Sequence, residues 1–419
     1  MVRVPSLRPP PGPFRPDFWR SPLRGPWLTS FIGSLLLVGL ALVVVTGFLS
    51  HVAYAPELGR NAIVEPDLPL NFDWPTSPSW LYAATQGIHV TAGIALVPLL
   101  LAKLWSVIPR LFAWPPVTSP AQAVERASLA LLVGGVLFQF VTGIVNAQVY
   151  YPFRFNFVVA HYYGAIVFTA ALVLHVGVKV PVVVRAYRDR GVLAPLRDDL
   201  RRTSPEPRDA EDSLVAVDPD PPTLSRRGLL ALAGGGSLAL LITSAGQAIG
   251  GPLRSLALLS PRGVDGVDGF PVNKTARAAG VTADMTGGDW RLEMLSGERE
   301  LRLDRAALLA LEQHTETLPI ACVEGWSTTQ DWTGVRLADL ARIAGGSDGR
   351  ALRVESLQER GVLREATLTA DQVADERSLL ALRVNGADLS PDHGFPARII
   401  APGVPGVHCT KWVGRMTFL

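Results

Sequence analysis

Ile320-Ala321-Cys322-Val323-Glu324-Gly325-Trp326-Ser327 carries one of only two cysteines in 419 residues. An apolar run of β character ends in a thiol and is followed at once by a Gly-Trp turn. A thiolate placed that way can hold a soft or high-valent metal. The same thiol could instead be a buried apolar side chain, or pair with Cys409 in an oxidising compartment. Around it the chain reads as short strands. Trp290, Leu292 and Met294 alternate with Arg291 and Glu293, and Leu301 and Leu303 alternate with Arg302 and Asp304. A short helix is expected over Leu337 to Ala344, closed by Gly345-Gly346, and Asn385-Gly386 reads as a hairpin turn.

Everything before residue 251 has a different character. The chain is 48% hydrophobic and only 18% charged, too apolar for an ordinary soluble protein of this size. The excess is concentrated in four stretches without Asp, Glu, Lys or Arg: Trp27 to Ser50, Ser79 to Ala102, Ala127 to Tyr150 and Phe155 to Val178. Each is long enough to cross a bilayer. A fifth, Gly228 to Gly250, is glycine-rich and less apolar. No basic run with interleaved aromatics points to nucleic acid. Two cysteines and no Cys-x-x-Cys pair exclude a disulfide framework and argue against a zinc or iron–sulfur site.

Charge placement sets the expected orientation. Arg3, Arg8, Arg15, Arg20 and Arg24 precede the first span, and Arg185, Arg188, Arg190, Arg197, Arg201, Arg202 and Arg208 follow the fourth. The loop after the first span is acidic, with Glu57, Glu65, Asp67 and Asp73 against Arg60. The N-terminus and the segment after the fourth span are therefore expected in the cytoplasm, and the region after Gly250 outside. Residues 188–224, rich in Pro, Asp, Glu and Arg without hydrophobic period, read as a flexible linker. The linker ends at Ser225-Arg226-Arg227-Gly228, either flanking positive charge or a twin-arginine export signal for folded, cofactor-loaded cargo.

With Pro396-Ala397-Arg398 and Lys411-Trp412 added, the Cys322 stretch resembles the sulfite-oxidase-type molybdopterin-binding domain over roughly residues 262–419. The pattern Ala-Cys-Val-Glu-x-Trp is similar to the bacterial periplasmic protein-methionine-sulfoxide reductase catalytic subunit. The resemblance implies that Cys322 ligates molybdenum beside the dithiolene of one pterin. It implies that Arg398 and Lys411 meet the cofactor's phosphate or pterin edge, because a phosphate needs cations and backbone donors. Gly403 and Gly406, in Pro402-Gly403-Val404-Pro405-Gly406, would allow close backbone approach. Trp412 would complete the terminal Lys-Trp pair, and Asn273, in Phe270-Pro271-Val272-Asn273-Lys274, would face the cofactor. Cys409 matches no ligand position and reads as structural. The several arginines that surround an anionic substrate in animal and plant sulfite oxidases do not align with positions in this sequence, so an oxyanion substrate is not supported.

His51, His89, His161 and His175 lie in or at the ends of the apolar segments, where an imidazole is a functional candidate. His161 and His175 are fourteen positions apart, which returns a helix to within about 40° of the same face at about 21 Å along its axis. The arrangement resembles the b-type cytochrome subunits of membrane-bound formate dehydrogenases and hydrogenases. His89 and His161 fall at similar depths on the outer half and are the first choice for one haem b, with His51 as substitute. His175 lies deeper and either binds a second haem or is a hydrogen-bonded structural or quinone-site residue.

The expectation is thus a membrane all-α four-helix bundle plus a fifth anchoring helix, followed by a soluble α+β, strand-rich sulfite-oxidase-like domain. The parts are a cytoplasmic tail (1–26), a haem-b domain (27–187), the linker (188–224), a twin-arginine-like anchor (225–250) and an extracytoplasmic molybdopterin domain (251–419). The expected protein is a multi-pass cell-membrane oxidoreductase passing electrons between quinone, haem b and molybdenum, with a small-molecule or protein sulfoxide as substrate and the twin-arginine export machinery as partner. Oxidation of sulfite or another small substrate with electrons passed to quinone, and a cofactor-less electron-transfer or assembly protein, are the alternatives.

Overall fold

The computed structural model describes residues 8–54, 72–117, 119–208, 214–262, 266–345, 349–361 and 363–419. Arg3, Glu57, Arg60, Glu65, Asp67 and Gly346 lie outside them. Six long helices come first: α1 (Pro26–Tyr54), α2 (Leu81–Ala95), α3 (Val97–Leu111), α4 (Pro120–Ala147), α5 (Phe157–Arg190) and α6 (Arg226–Ile249). Among the described residues, α1, α4, α5 and α6 are long and apolar enough to cross a membrane, and α2 with α3 makes a fifth span if the pair counts as one.

The expected second span is broken. α2 and α3 meet at a bend of 43°. Pro98 lies in the first turn of α3, has no N–H to give the turn before it, and crowds the carbonyl four residues back. α3 then continues through Lys103, beyond the expected end at Ala102, and the Lys103 ammonium is held by the Thr29 carbonyl at 2.7 Å.

The chain forms two compact units. One comprises Met1–Val44, Ala92–Ile144 and Ala160–Leu241. Its apolar contacts join the first half of α1 (Trp27, Ile32, Leu36) to α3 (Leu100, Ala102), α4 (Val136), α5 (Phe168) and α6 (Ala233). The described residues of the stretch expected to be a flexible linker, 188–208 and 214–224, are packed here. Glu206 is buried, and its carboxylate accepts from the Trp27 and Leu28 amides at 2.9 and 3.4 Å, capping the positive end of α1. Arg226 lies beside it at 4.0 Å, 1% exposed, and donates to the Ser204 and Pro22 carbonyls. Leu214 and Val215 are buried as well. A polar composition suggested freedom, but the described residues are held by a carboxylate seated on a helix end, by its arginine partner and by Arg20 paired with Asp218 and Asp220.

The other unit comprises Val45–Thr91, Val145–Val159 and Ile242–Leu419. It carries the strand-rich domain, with β1 (Leu292–Ser296), β2 (Arg299–Leu303), β3 (His314–Ala321), β4 (Ser327–Arg336), β5 (Leu352–Ser356), β6 (Glu365–Leu368), β7 (Leu379–Val384), β8 (Ala387–Asp388), β9 (Arg398–Ile400) and β10 (Val413–Phe418). One sheet runs β2-β1-β10-β5-β6, with β1 and β10 parallel; the second runs β3-β4-β7-β8, with β9 also on β7. Leu292 and Met294 of β1 are fully buried at alternate positions, as the pattern implied. The expected short helix runs Leu337–Ile343, followed by Gly345 at φ +81°. Asn385 and Gly386 link β7 to β8, both at positive φ, as a two-residue hairpin turn requires. The end of α1 and the loop before α2, in the same unit, reach the domain's loops. The Trp74 indole donates to the Gly403 carbonyl at 2.7 Å, and His408 Nε2 lies 3.0 Å from the Tyr54 carbonyl at the end of α1.

Candidate functional site

β3 delivers Ala321 and Cys322 to a tight turn before β4. The Gly325 amide donates to the Cys322 carbonyl at 3.0 Å, and the Cys322 amide donates to the Trp326 carbonyl at 2.9 Å. Gly325 sits at φ +91°, a conformation that favours glycine, so the residue between Glu324 and Trp326 is fixed by backbone need. Glu324 braces the turn from inside. Its carboxylate receives Arg262 bidentately at 2.9 and 2.7 Å and the Trp326 indole at 3.0 Å, while 6% exposed. A second loop closes on the end of β3, where the Gly406 amide donates to the Ala321 carbonyl at 2.7 Å. Any side chain at 406 would meet that carbonyl at 2.9 Å.

Cys322, Gly406, Arg398, Lys411 and Asn273, all singled out in the sequence, line one cavity with Phe270, Pro271, Ile320, Ala321, Trp326 and His393. Two residues expected in the same role lie elsewhere. Gly403, at φ +73°, faces the loop of Trp74 and Pro75, and a Cβ there would meet the Pro75 carbonyl at 2.8 Å. Trp412 packs on Ala279 and Val281 and donates its indole N–H to the Pro391 carbonyl at 2.7 Å. His393 lies in the segment 392–398 that resembles the family's pterin-side loop, but the sequence gives it no role of its own. In the structure its ring stacks on Phe270 at 3.8 Å between centroids, and Nδ1 lies 2.9 Å from the Asp268 carboxylate. Nothing in the spacing of Phe270 and His393 announces that stack.

The electrostatics of the cavity are those of a site short of an anion. Arg398 is 2% exposed. It donates to the His393 and Cys409 carbonyls at 3.0 and 3.2 Å, and its guanidinium carbon stands 5.2 Å from the centroid of the Trp332 ring. Its Nε is buried without a partner among the described residues. Burial brings this guanidinium down to about 10. Lys411 donates to the Lys274 and Asp392 carbonyls, both at 2.8 Å, and burial with Arg398 nearby holds it well below the ordinary lysine value. Burial also outweighs the Asp268 hydrogen bond and keeps His393 low. Two buried cations facing neutral carbonyls would be relieved by an anionic group.

Cys322 and Cys409 are both free and buried, so the disulfide reading fails. Burial and the neighbouring Glu324 push the Cys322 thiol up to about 12, so metal binding there displaces a proton. Among the described residues no three His, Cys, Asp or Glu side chains converge, so a metal at Cys322 would arrive with most of its ligands already on it. A molybdenum held by its own pterin dithiolene, with an anionic phosphate at the far end of the cofactor, fits this donor set.

Comparison with known proteins points the same way. The family model described as "Oxidoreductase molybdopterin binding domain" matches residues 279–419. The uncharacterized oxidoreductase YuiH of Bacillus subtilis is 31% identical over 137 residues, 32% of this chain and 67% of that protein. Mitochondrial sulfite oxidase of Drosophila melanogaster is 29% identical over 153 residues, 30% of this chain and 27% of the oxidase. NADH nitrate reductase 1 of Oryza sativa subsp. japonica is 40% identical over 99 residues, 21% of this chain and 11% of the reductase. The chain thus spans two thirds of the first relative and about a quarter or less of the other two. Through its strand-rich domain, the chain belongs to the oxidoreductase molybdopterin-binding family and is a molybdenum oxidoreductase of the sulfite-oxidase type.

Proposed function

We propose that this is a membrane-bound oxidoreductase that reduces sulfoxides outside the membrane with electrons drawn from quinol. The observation that carries the reading is a cavity joining a single thiol, Cys322, to two buried cations, in the same compact unit as the end of α1 and most of α2. Cys322 would hold the molybdenum, and Arg398 and Lys411 the anionic end of its pterin, with Asn273 and Gly406 along the wall. When bound, the cofactor supplies oxygen-atom transfer coupled to two-electron change at the metal. The chain orients it, and Phe270, Ile320 and Trp326 offer apolar wall to a neutral substrate such as a methionine sulfoxide side chain.

The apolar helices would carry haem b. His89 and His161 are the proposed ligands, with His51 and His175 as further candidates. Each ring of the first pair lies against a glycine of a neighbouring helix. A Cβ at Gly47 would meet the His89 ring at 2.7 Å, and one at Gly143 would meet the His161 ring at 3.2 Å. The His161 Nδ1 also lies 2.9 Å from the Thr142 hydroxyl. Sidedness follows from the arginine bias of the sequence, with export of the folded domain through the twin-arginine route.

A sulfite-type reading, with electrons flowing to quinone, is favoured by one observation: Arg398 and Lys411 could neutralise an anionic substrate as well as a phosphate. Spectroscopy on the solubilised protein decides. A quinol analogue should reduce a haem band, and a sulfoxide should reoxidise it only with Cys322 intact. Sulfite reducing the haem while sulfoxide leaves it reduced would reverse the direction. Loss of the band on replacing His89 or His161 by Ala tests the ligands. Protein purified without molybdenum or haem would favour the cofactor-less alternative.

A further inference from the structure

α2 touches the Cys322 segment along a single ridge. Tyr82, Gln86 and Val90 are spaced four apart, so they stand one above another on the same helix face. Tyr82 shares an apolar cluster with Ala321. The Gln86 amide donates from Nε2 to the Val323 carbonyl at 2.6 Å. Val90 packs on Gly325 so closely that a Cβ there would come within 2.8 Å of the valine side chain. The ridge therefore meets residues 321, 323 and 325, while Cys322 between them lines the cavity.

We propose that Gln86 is a positioning residue for Cys322, fixing the metal-ligand turn from the helix side; this rests on the reading of Cys322 as the molybdenum ligand. The Val323 carbonyl is one peptide away from Cys322. Anchoring it fixes the Val323–Glu324 peptide plane and, through the backbone of Val323, restrains the turn that Cys322 enters. Arg262, Glu324 and Trp326 brace the turn from the domain side, and Gln86 supplies the polar restraint on the other. Removing the amide leaves the carbonyl unpaired in a partly buried setting and gives the turn a reason to move. The catalytic cysteine is thereby held by a residue remote in sequence, on a helix that precedes the strand-rich domain.

The test uses the full chain carrying Gln86→Leu and Gln86→Asn, the second a polar variant too short to reach the carbonyl. Ile88→Ala, on an exposed part of α2, serves as control. Both Gln86 variants should retain molybdenum, show an altered Mo(V) electron paramagnetic resonance signal and lose turnover several-fold. In cofactor-free protein, their Val323–Trp326 amides should exchange hydrogen faster, and Ile88→Ala should change neither readout. If Gln86→Leu fails to fold, Gln86→Asn carries the comparison. Unaltered Mo(V) signal and exchange in the folded Gln86 variants, whatever their melting temperature, would overturn the proposal. Cys322→Ser is measured alongside. A signal unchanged by that substitution would remove the ligand reading and this proposal with it, whereas a signal sensitive to Cys322 but not to Gln86 would remove this proposal alone.

Discussion

Gly325→Ala is the substitution whose cost the geometry defines best. Gly325 sits at φ +91°, and its added Cβ would lie 2.8 Å from both Cβ and Cγ1 of Val90 and 3.1 Å from Cγ2. The backbone conformation alone should cost about 1–3 kcal/mol for an L side chain. Val90 is β-branched and cannot swing clear by a rotamer change, so the clash adds about 1–3 kcal/mol of overpacking. Gly349 provides the reference, at φ +95° with nothing among the described residues within 4 Å of the place a methyl would occupy. Gly349→Ala should therefore show only the backbone cost. Thermal unfolding of the detergent-solubilised chain, followed by near-ultraviolet circular dichroism, reads the difference. Each extra kcal/mol lowers the midpoint by about 2–4 °C in a domain of this size, so Gly325→Ala should melt at least about 2 °C below Gly349→Ala. Equal midpoints would mean that Val90 does not pack on the Cys322 turn, and the ridge along α2 would lose its role in holding that turn.

Other outcomes follow from the same geometry. Cys322→Ser should abolish turnover with sulfoxides and with sulfite, whereas Cys409→Ser, behind Arg398 and away from the cavity lining, should leave turnover close to normal; equal losses would contradict the ligand assignment. His393 is held below its ordinary value, so the unfolded chain binds its proton more tightly. The neutral ring's contribution to stability is therefore complete above about pH 6.5 and is lost as pH falls toward the lower folded value. His393→Gln should shrink that acid loss in cofactor-free protein, and denaturant titrations at several pH values check it. Arg226 is buried beside Glu206 whereas Arg227 is exposed, so the two arginines of the proposed export motif are separable. Arg227→Lys should block export of residues 251–419 without lowering the stability of the folded chain, as a protease-protection assay would show; normal export would remove the twin-arginine reading.

Much of this architecture is written locally. A bilayer-crossing helix is declared by some twenty consecutive apolar residues, so α1, α4, α5 and α6 could be placed from hydropathy alone, although α5 runs on to Arg190. Strand alternation located β1 because successive side chains face opposite sides of a sheet whatever its neighbours are. The Cys322 motif was legible because a turn fixed by glycine and a thiol at a strand end occupy eight consecutive residues. The break at Pro98 has a local cause, a proline inside an otherwise apolar run, but hydropathy alone reads Ser79 to Ala102 as one span.

What the sequence determined by itself is accordingly whatever depends on neighbours a few residues away: the long apolar helices, the strands, the Cys322 turn and the supply of cationic residues near the C-terminus. Tertiary structure alone decided which distant residues meet. It brought His393 onto Phe270 and Trp74 onto Gly403, buried Arg226 against Glu206, and set the Tyr82–Gln86–Val90 ridge along the cysteine turn. These contacts join positions that composition and periodicity treat as independent. They exist because strand register and helix crossings hold the backbones a few ångströms apart, and a pattern with a range of one helical turn carries no information about such distances.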